Sequence, residues 1–133
     1  MNDQDNYLLV SAPTEAGLAF LRVLAAKGSH YAALTYNKAE KQALEEMGVE
    51  NILMVDTKDS RSLLVPELPI GKVYLFEQSL DLCCRYIQIC RSWTAKPIYV
   101  ITQGNNARLI YKGLGAKYVI LSQGTDLSFL LSE

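Results

Sequence analysis

Short apolar runs alternate with stretches of helical period along the whole chain, and that alternation leaves few folds open. Runs at 7–11, 31–36, 51–55, 72–76, 97–102 and 117–122 predict strands. Helical spacing predicts helices over 15–27, 38–47, 79–93 and 105–113, with a weak helix over 58–64 and a terminal turn over 126–131. Leu18, Leu21, Val23, Leu24 and Ala25 form the apolar stripe of the first helix, whereas 38–47 has few apolar residues and stops at Gly48, as a surface helix does. Val73-Tyr74-Leu75-Phe76 and Ile98-Tyr99-Val100-Ile101 are apolar at every position rather than at alternate ones. Strands covered by helices on both faces have that composition, and sheets of such strands are parallel. The pattern predicts a single doubly wound α/β domain over 1–133 with a six-stranded parallel sheet.

Composition narrows the partners. At 133 residues, 50% of them hydrophobic, the chain can bury a core without metal or disulfide. A formal net charge of −1 supplies no electrostatic drive toward a polyphosphate backbone, so no nucleic-acid partner is expected. The start, Met1-Asn2-Asp3-Gln4-Asp5-Asn6, is polar and acidic, unlike a secretory signal. No apolar stretch reaches the ~20 residues that span a bilayer, so a cytoplasmic location without membrane insertion is expected. Cys83, Cys84 and Cys90 share one helical stretch, far in sequence from His30, and are expected as small core residues rather than metal ligands.

In a doubly wound sheet, ligands sit beyond the carboxyl ends of the strands, at the switch point between the two halves. The candidate site is therefore the set of segments just after each strand: 11–17, 35–37, 56–59, 77–79, 102–105 and 122–124. A dinucleotide-binding unit carries G-x-G-x-x-G in the first of these, so that backbone N–H groups can approach a pyrophosphate. Here that loop reads Ser11-Ala12-Pro13-Thr14-Glu15-Ala16-Gly17.

The run Asn105-Asn106-Ala107-Arg108-Leu109-Ile110-Tyr111-Lys112-Gly113-Leu114-Gly115-Ala116-Lys117-Tyr118-Val119-Ile120 resembles the last helix and strand of the potassium-transport regulatory domain, called RCK or TrkA-N. In that family an N-x-x-x-A-x-x-L-x-x-x-G-A-D-x-V-I pattern closes the nucleotide-binding half. The stretch from Glu40 through Ala43-Leu44-Glu45-Glu46-Met47-Gly48-Val49-Glu50 to Val55-Asp56-Thr57-Lys58-Asp59 is similar to the family's ALEEEGVEVVVGDATD segment. The NmrA-like relatives of the short-chain dehydrogenases resemble residues 1–60 about equally. Both resemblances imply a Rossmann-like domain and positions for an NAD(P)-type or other nucleotide ligand, whose identity they leave unknown. The first fingerprint glycine falls on Ser11, the second on Pro13, and the third on Ala16, or on Gly17 with the NmrA-like spacing. Pro13 has no N–H to offer. Thr14 follows it in the loop, and Glu15 in the first helical turn complements the helix dipole and repels pyrophosphate. The acidic residue that grips the ribose falls on Thr35, and the arginine of NADP-preferring relatives on Tyr36. Asp56 matches the aspartate that lies near the adenine, a role that competes with capping of the segment after it. Glu77 stands at the end of the fourth strand.

Catalytic constellations are thin. The reductase pair, tyrosine with lysine four residues on, does not occur, and His30 falls at the amino end of a strand. A phospho-receiver needs an acidic pair after the first strand and a lysine after the fifth, where this chain has Ser11-Ala12 and Gln103. The helix over 79–93 carries two apolar stripes: Leu80, Cys83, Cys84, Ile87 and Cys90, beside Leu82, Tyr86, Ile89 and Trp93. One sheet face buries one stripe, so Tyr86, Ile89 and Trp93 predict a protein contact, most simply a homodimer. The other explanation is a helix that embraces the sheet more deeply. The expectation is a non-catalytic or regulatory Rossmann-like domain with a degraded dinucleotide fingerprint. The alternative is an NmrA-like or reductase-like enzyme that binds NAD(P)H through the altered loop.

Overall fold

Thr14, Asn37 and Ser79 are extended residues whose side chains switch the backbone into helix. In the computed structural model, which describes residues 6–56, 66–104, 107–122 and 128–131, Thr14 accepts from the Gly17 N–H at 3.1 Å. Asn37 accepts from the Ala39 and Glu40 N–H groups at 2.8 and 3.1 Å, and Ser79 from the Leu82 N–H at 3.3 Å. Each satisfies donors that the first helical turn leaves without an internal partner. The helices that follow are α1 (Glu15–Ala26), α2 (Lys38–Glu46) and α3 (Leu80–Arg91), with α4 (Arg108–Leu114) later in the chain. Gly28 and Gly48, at φ 69° and 91°, turn the chain out of α1 and α2 in the left-handed conformation that suits glycine.

The strands are β1 (Tyr7–Ser11), β2 (Tyr31–Thr35), β3 (Ile52–Met54), β4 (Ile70–Phe76), β5 (Ile98–Thr102) and β6 (Tyr118–Leu121), and a 3-10 turn spans Ser128–Leu131. They form one six-stranded sheet in the order β3-β2-β1-β4-β5-β6, parallel at every pairing. This is the doubly wound Rossmann order, with the switch point between β1 and β4. The predicted strands are each present within a residue or two of their expected ends. The weak helix expected over 58–64 lies outside the described residues.

Both faces of the sheet are core, which is why the strands read as apolar at every position. Val10, Ala33, Tyr74 and Phe76 face Phe20, Leu21 and Leu24 of α1 and Leu44 of α2. Leu9, Leu34, Val73 and Val100 face Cys83, Tyr86, Ile87 and Cys90 of α3 and Tyr111 of α4. On the first face three tyrosines stack across adjacent strands: Tyr74 on Tyr99 at 4.8 Å between ring centroids, and Tyr99 on Tyr118 at 5.0 Å. They are directly opposite one another in strand register.

The helix α3 corrects one expectation. Tyr86 and Ile89, assigned by the two-stripe argument to a second-copy contact, are 3% and 7% exposed and belong to this chain's own core. The helix embraces the sheet, with one stripe on β4 and β5 and the other reaching over the β2 side. Trp93 is half-buried against the same core. The apolar side chains with large exposure sit elsewhere, including Leu109 and Ile110 on α4 and Leu121 on β6.

Candidate functional site

Because every strand runs the same way, the carboxyl edge gathers the loops after β1, β2, β3 and β4. Ser11, Pro13, Thr14 and Gly17 lie in the first, Thr35 and Tyr36 in the second, Asp56 after β3, and Glu77 after β4. The fold thus brings the eight sequence-derived candidates to one edge, and their environments then separate them.

The first loop is closed on itself. A Cβ on Gly17 would stand 2.7 Å from the Ala12 Cα, 2.9 Å from the Ala12 Cβ and 3.2 Å from the Phe76 ring. Gly17 therefore fills the third-glycine role, letting the helix pack closely on the strand. Counted back from Gly17, the G-x-G-x-x-G spacing falls on Thr14 and Ala12. Thr14 is the N-cap, and its hydroxyl occupies the Gly17 N–H that would otherwise face a ligand. Glu15 is exposed in the first turn, where its carboxylate complements the positive end of the helix. Ser11 is only 2% exposed and lies within the sheet.

The second loop is equally self-satisfied at its base. Thr35 is fully buried, and its Oγ1 accepts from the Asn37 N–H at 3.1 Å and donates to the Asn37 carbonyl at 3.4 Å. A ribose hydroxyl cannot reach it without opening that turn. Tyr36, by contrast, is 46% exposed, and Asp56 on the neighbouring loop is exposed as well. Beneath them Tyr86 from α3 makes a hydrogen bond with the Tyr36 backbone. Burial, followed by the nearby Glu40 and Tyr36, pushes the Tyr86 phenol above its ordinary range, so it stays a neutral hydroxyl.

Glu77 is drawn away from the switch point. Thr102 donates to its Oε1 at 2.6 Å, and Tyr111 donates to its Oε2. Burial and the Glu77 hydrogen bond both push the Tyr111 phenol up. A cavity of about 300 Å3 opens beside this group, lined by Glu77, Gln78, Ser79, Leu80, Gly104 and Ala107. Cys83 lies against Tyr111, and burial raises its thiol to about 12 despite that hydrogen bond. Sequence reasoning missed Tyr86, Thr102 and Tyr111. Tyr111 is 34 residues from Glu77, so no local spacing pairs them. No cluster of His, Cys, Asp or Glu suited to a metal occurs among the described residues. No helix among them is long and apolar enough to cross a membrane.

No family model and no curated protein sequence matches this chain. Solved structures do. The NAD(P)-binding domain of an exopolyphosphatase-related protein from Archaeoglobus fulgidus matches 87% of this chain and 86% of its own at 21% identity and a TM-score of 0.67. The TrkA-N domain of the inner membrane protein ybaL from Escherichia coli matches 98% of this chain and 97% of its own, at 13% identity and a TM-score of 0.66. The GsuK channel bound to NAD matches 90% of this chain at 17% identity and a TM-score of 0.67, this chain spanning 22% of the channel's length. GsuK bound to ADP matches 90% of this chain at 16% identity and a TM-score of 0.69 over 32% of its length. At these identities the likeness is one of architecture, and the chain has the Rossmann fold of the TrkA-N and RCK NAD(P)-binding domains.

Proposed function

We propose that this chain is a regulatory, non-catalytic Rossmann-type domain that holds an adenine nucleotide between the ends of β1, β2 and β3. One observation carries the reading: the switch point is intact, while the groups that would grip a pyrophosphate are engaged elsewhere. Thr14 occupies the Gly17 N–H, Glu15 sets a carboxylate at the start of α1, and Thr35 is turned inward. What remains open is the adenine side, where the exposed Tyr36 offers a ring for stacking and Asp56 a carboxylate acceptor. GsuK bound to NAD and to ADP supports a nucleotide of this class at such a fold. Chemistry-bearing groups are placed against catalysis: Glu77 is tied by Thr102 and Tyr111, and His30 stacks on Tyr7 at the opposite edge.

A thermal-shift and calorimetric panel of AMP, ADP, NAD, NADH and NADPH tests this. Affinity set by the adenosine half gives similar, weak binding of AMP, ADP and NAD, lost in Tyr36→Ala. A flat panel overturns the nucleotide reading. Tight NADPH binding with hydride transfer to an acceptor would establish the NmrA-like enzyme in its place.

Self-association through α3 would draw on Leu80, 44% exposed, and the half-buried Trp93. Light scattering that returns a monomer at high concentration removes it. We place the domain in the cytoplasm, where nucleotides are abundant and thiols such as Cys83 stay reduced. Cell fractionation checks that assignment.

A further inference from the structure

A cavity of about 290 Å3 opens at the amino edge of the sheet, at the far end of β1 and β4 from the crevice. Lys27 at the end of α1, Lys72 on β4 and Lys96 just ahead of β5 bring three lysines to its wall from three separate segments of chain. The rest of the lining includes Leu8, Tyr74 and Leu130. Tyr74 is 1% exposed, and its hydroxyl donates to the Leu130 carbonyl at 3.4 Å, which fastens the 3-10 turn in place as one side of the cavity. No carboxylate occurs among the described residues of this lining.

We propose that this cavity is a second binding site, for a small phosphate monoester with an apolar or aromatic body. Three ammonium groups sharing one cavity repel each other, and a dianion among them relieves that repulsion and is attracted to all three. A singly charged carboxylate gains less from the same set. The apolar lining takes the body of the ligand, while inorganic phosphate leaves it in contact with water. The volume stands near the ~300 Å3 lower bound of small-molecule sites, so a dinucleotide does not fit. The site is independent of the nucleotide crevice, which lies at the other end of the same strands.

Backbone amide NMR of the full chain, titrated separately with phenyl phosphate, inorganic phosphate and phenol, tests the proposal. Phenyl phosphate should give saturable shifts at Ser29, Gly71 and Lys72 and bind at least about tenfold more tightly than either fragment. Lys27→Gln combined with Lys96→Gln, two exposed side chains, should weaken phenyl phosphate by about tenfold while the spectrum stays dispersed. Lys72→Gln, tested alone, should weaken it as well. Shifts that never saturate overturn the proposal, as do shifts confined to 11–17 and 36. So do equal affinities for phenyl phosphate and a fragment, or unchanged affinity in the lysine variants. Failure of the nucleotide crevice reads out separately, as AMP leaving 11–17, Tyr36 and Asp56 unshifted.

Discussion

Thr102 donates its hydroxyl to the Glu77 carboxylate at 2.6 Å, and this bond ties the end of β5 to the end of β4. Tyr111 donates to the other oxygen of the same carboxylate, so α4 is tied in too. Tyr111→Phe should therefore cost about 1–3 kcal/mol in urea unfolding, because it leaves a charged acceptor with one partner fewer. Nucleotide affinity should stay unchanged in that variant. A large loss of affinity with stability intact would return Glu77 to the ligand.

Gly17 and Gly104 offer a matched pair. A methyl at Gly17 meets Ala12 backbone, whereas one at Gly104 meets nothing within 4 Å. Gly17→Ala should lose about 1–3 kcal/mol by overpacking, and Gly104→Ala should be near neutral. Chemical denaturation of both variants checks the contrast. The same contact makes Gly17→Val a poor probe of ligand binding, since it disturbs the loop whether or not a ligand is present.

Arg91 holds the far side of the same layer. Its guanidinium donates to the Gly115 carbonyl at 3.0 Å and the Lys96 carbonyl at 2.9 Å, and also to that of Thr94. Arg91→Ala should destabilise by about 2–3 kcal/mol, and Arg91→Lys should recover only part, since an ammonium cannot span the three carbonyls. Thermal unfolding of the two variants side by side measures the difference.

The thiols should label unequally. Cys83 is 3% exposed and Cys90 fully buried, while Cys84 is half-buried. Brief alkylation of the native protein, read by mass spectrometry, should modify Cys84 first and the other two only on unfolding.

Stability should also fall in alkali. Burial raises Cys83 from 9.0 to about 12 and pushes Cys90 up as well. Below pH 9 both folded and unfolded chains keep these protons. Above it the unfolded chain releases them first, so stability is lost as pH rises from about 9 toward 12. Melting temperature should be level from pH 7 to 8.5 and decline above 9, less steeply in Cys83→Ala.

The sheet was legible because burial on both faces writes itself into every strand position: Leu9 serves one face and Val10 the other. Caps were legible for the same local reason, as with Ser79 ahead of α3. The expected α3 contact failed because residue type does not report how far a helix overlaps a sheet; Tyr86 reaches β2, which no count along the helix reveals. The fingerprint register was ambiguous for want of a fixed helix start. Thr14 as N-cap and the Ala12 contact fix it on Gly17. The Glu77 group was invisible because its partners are 25 and 34 residues away.

The tyrosine stack has a practical consequence. Three phenol chromophores at contact distance, one per strand, couple electronically only while β4, β5 and β6 are in register. A slip by one residue sends a ring to the opposite face. Near-ultraviolet circular dichroism of the unlabelled protein thus reports on this half of the sheet, and Trp93 fluorescence reports separately on the end of α3. Comparing the two during unfolding would reveal whether the sheet edge and the helix covering it come apart together.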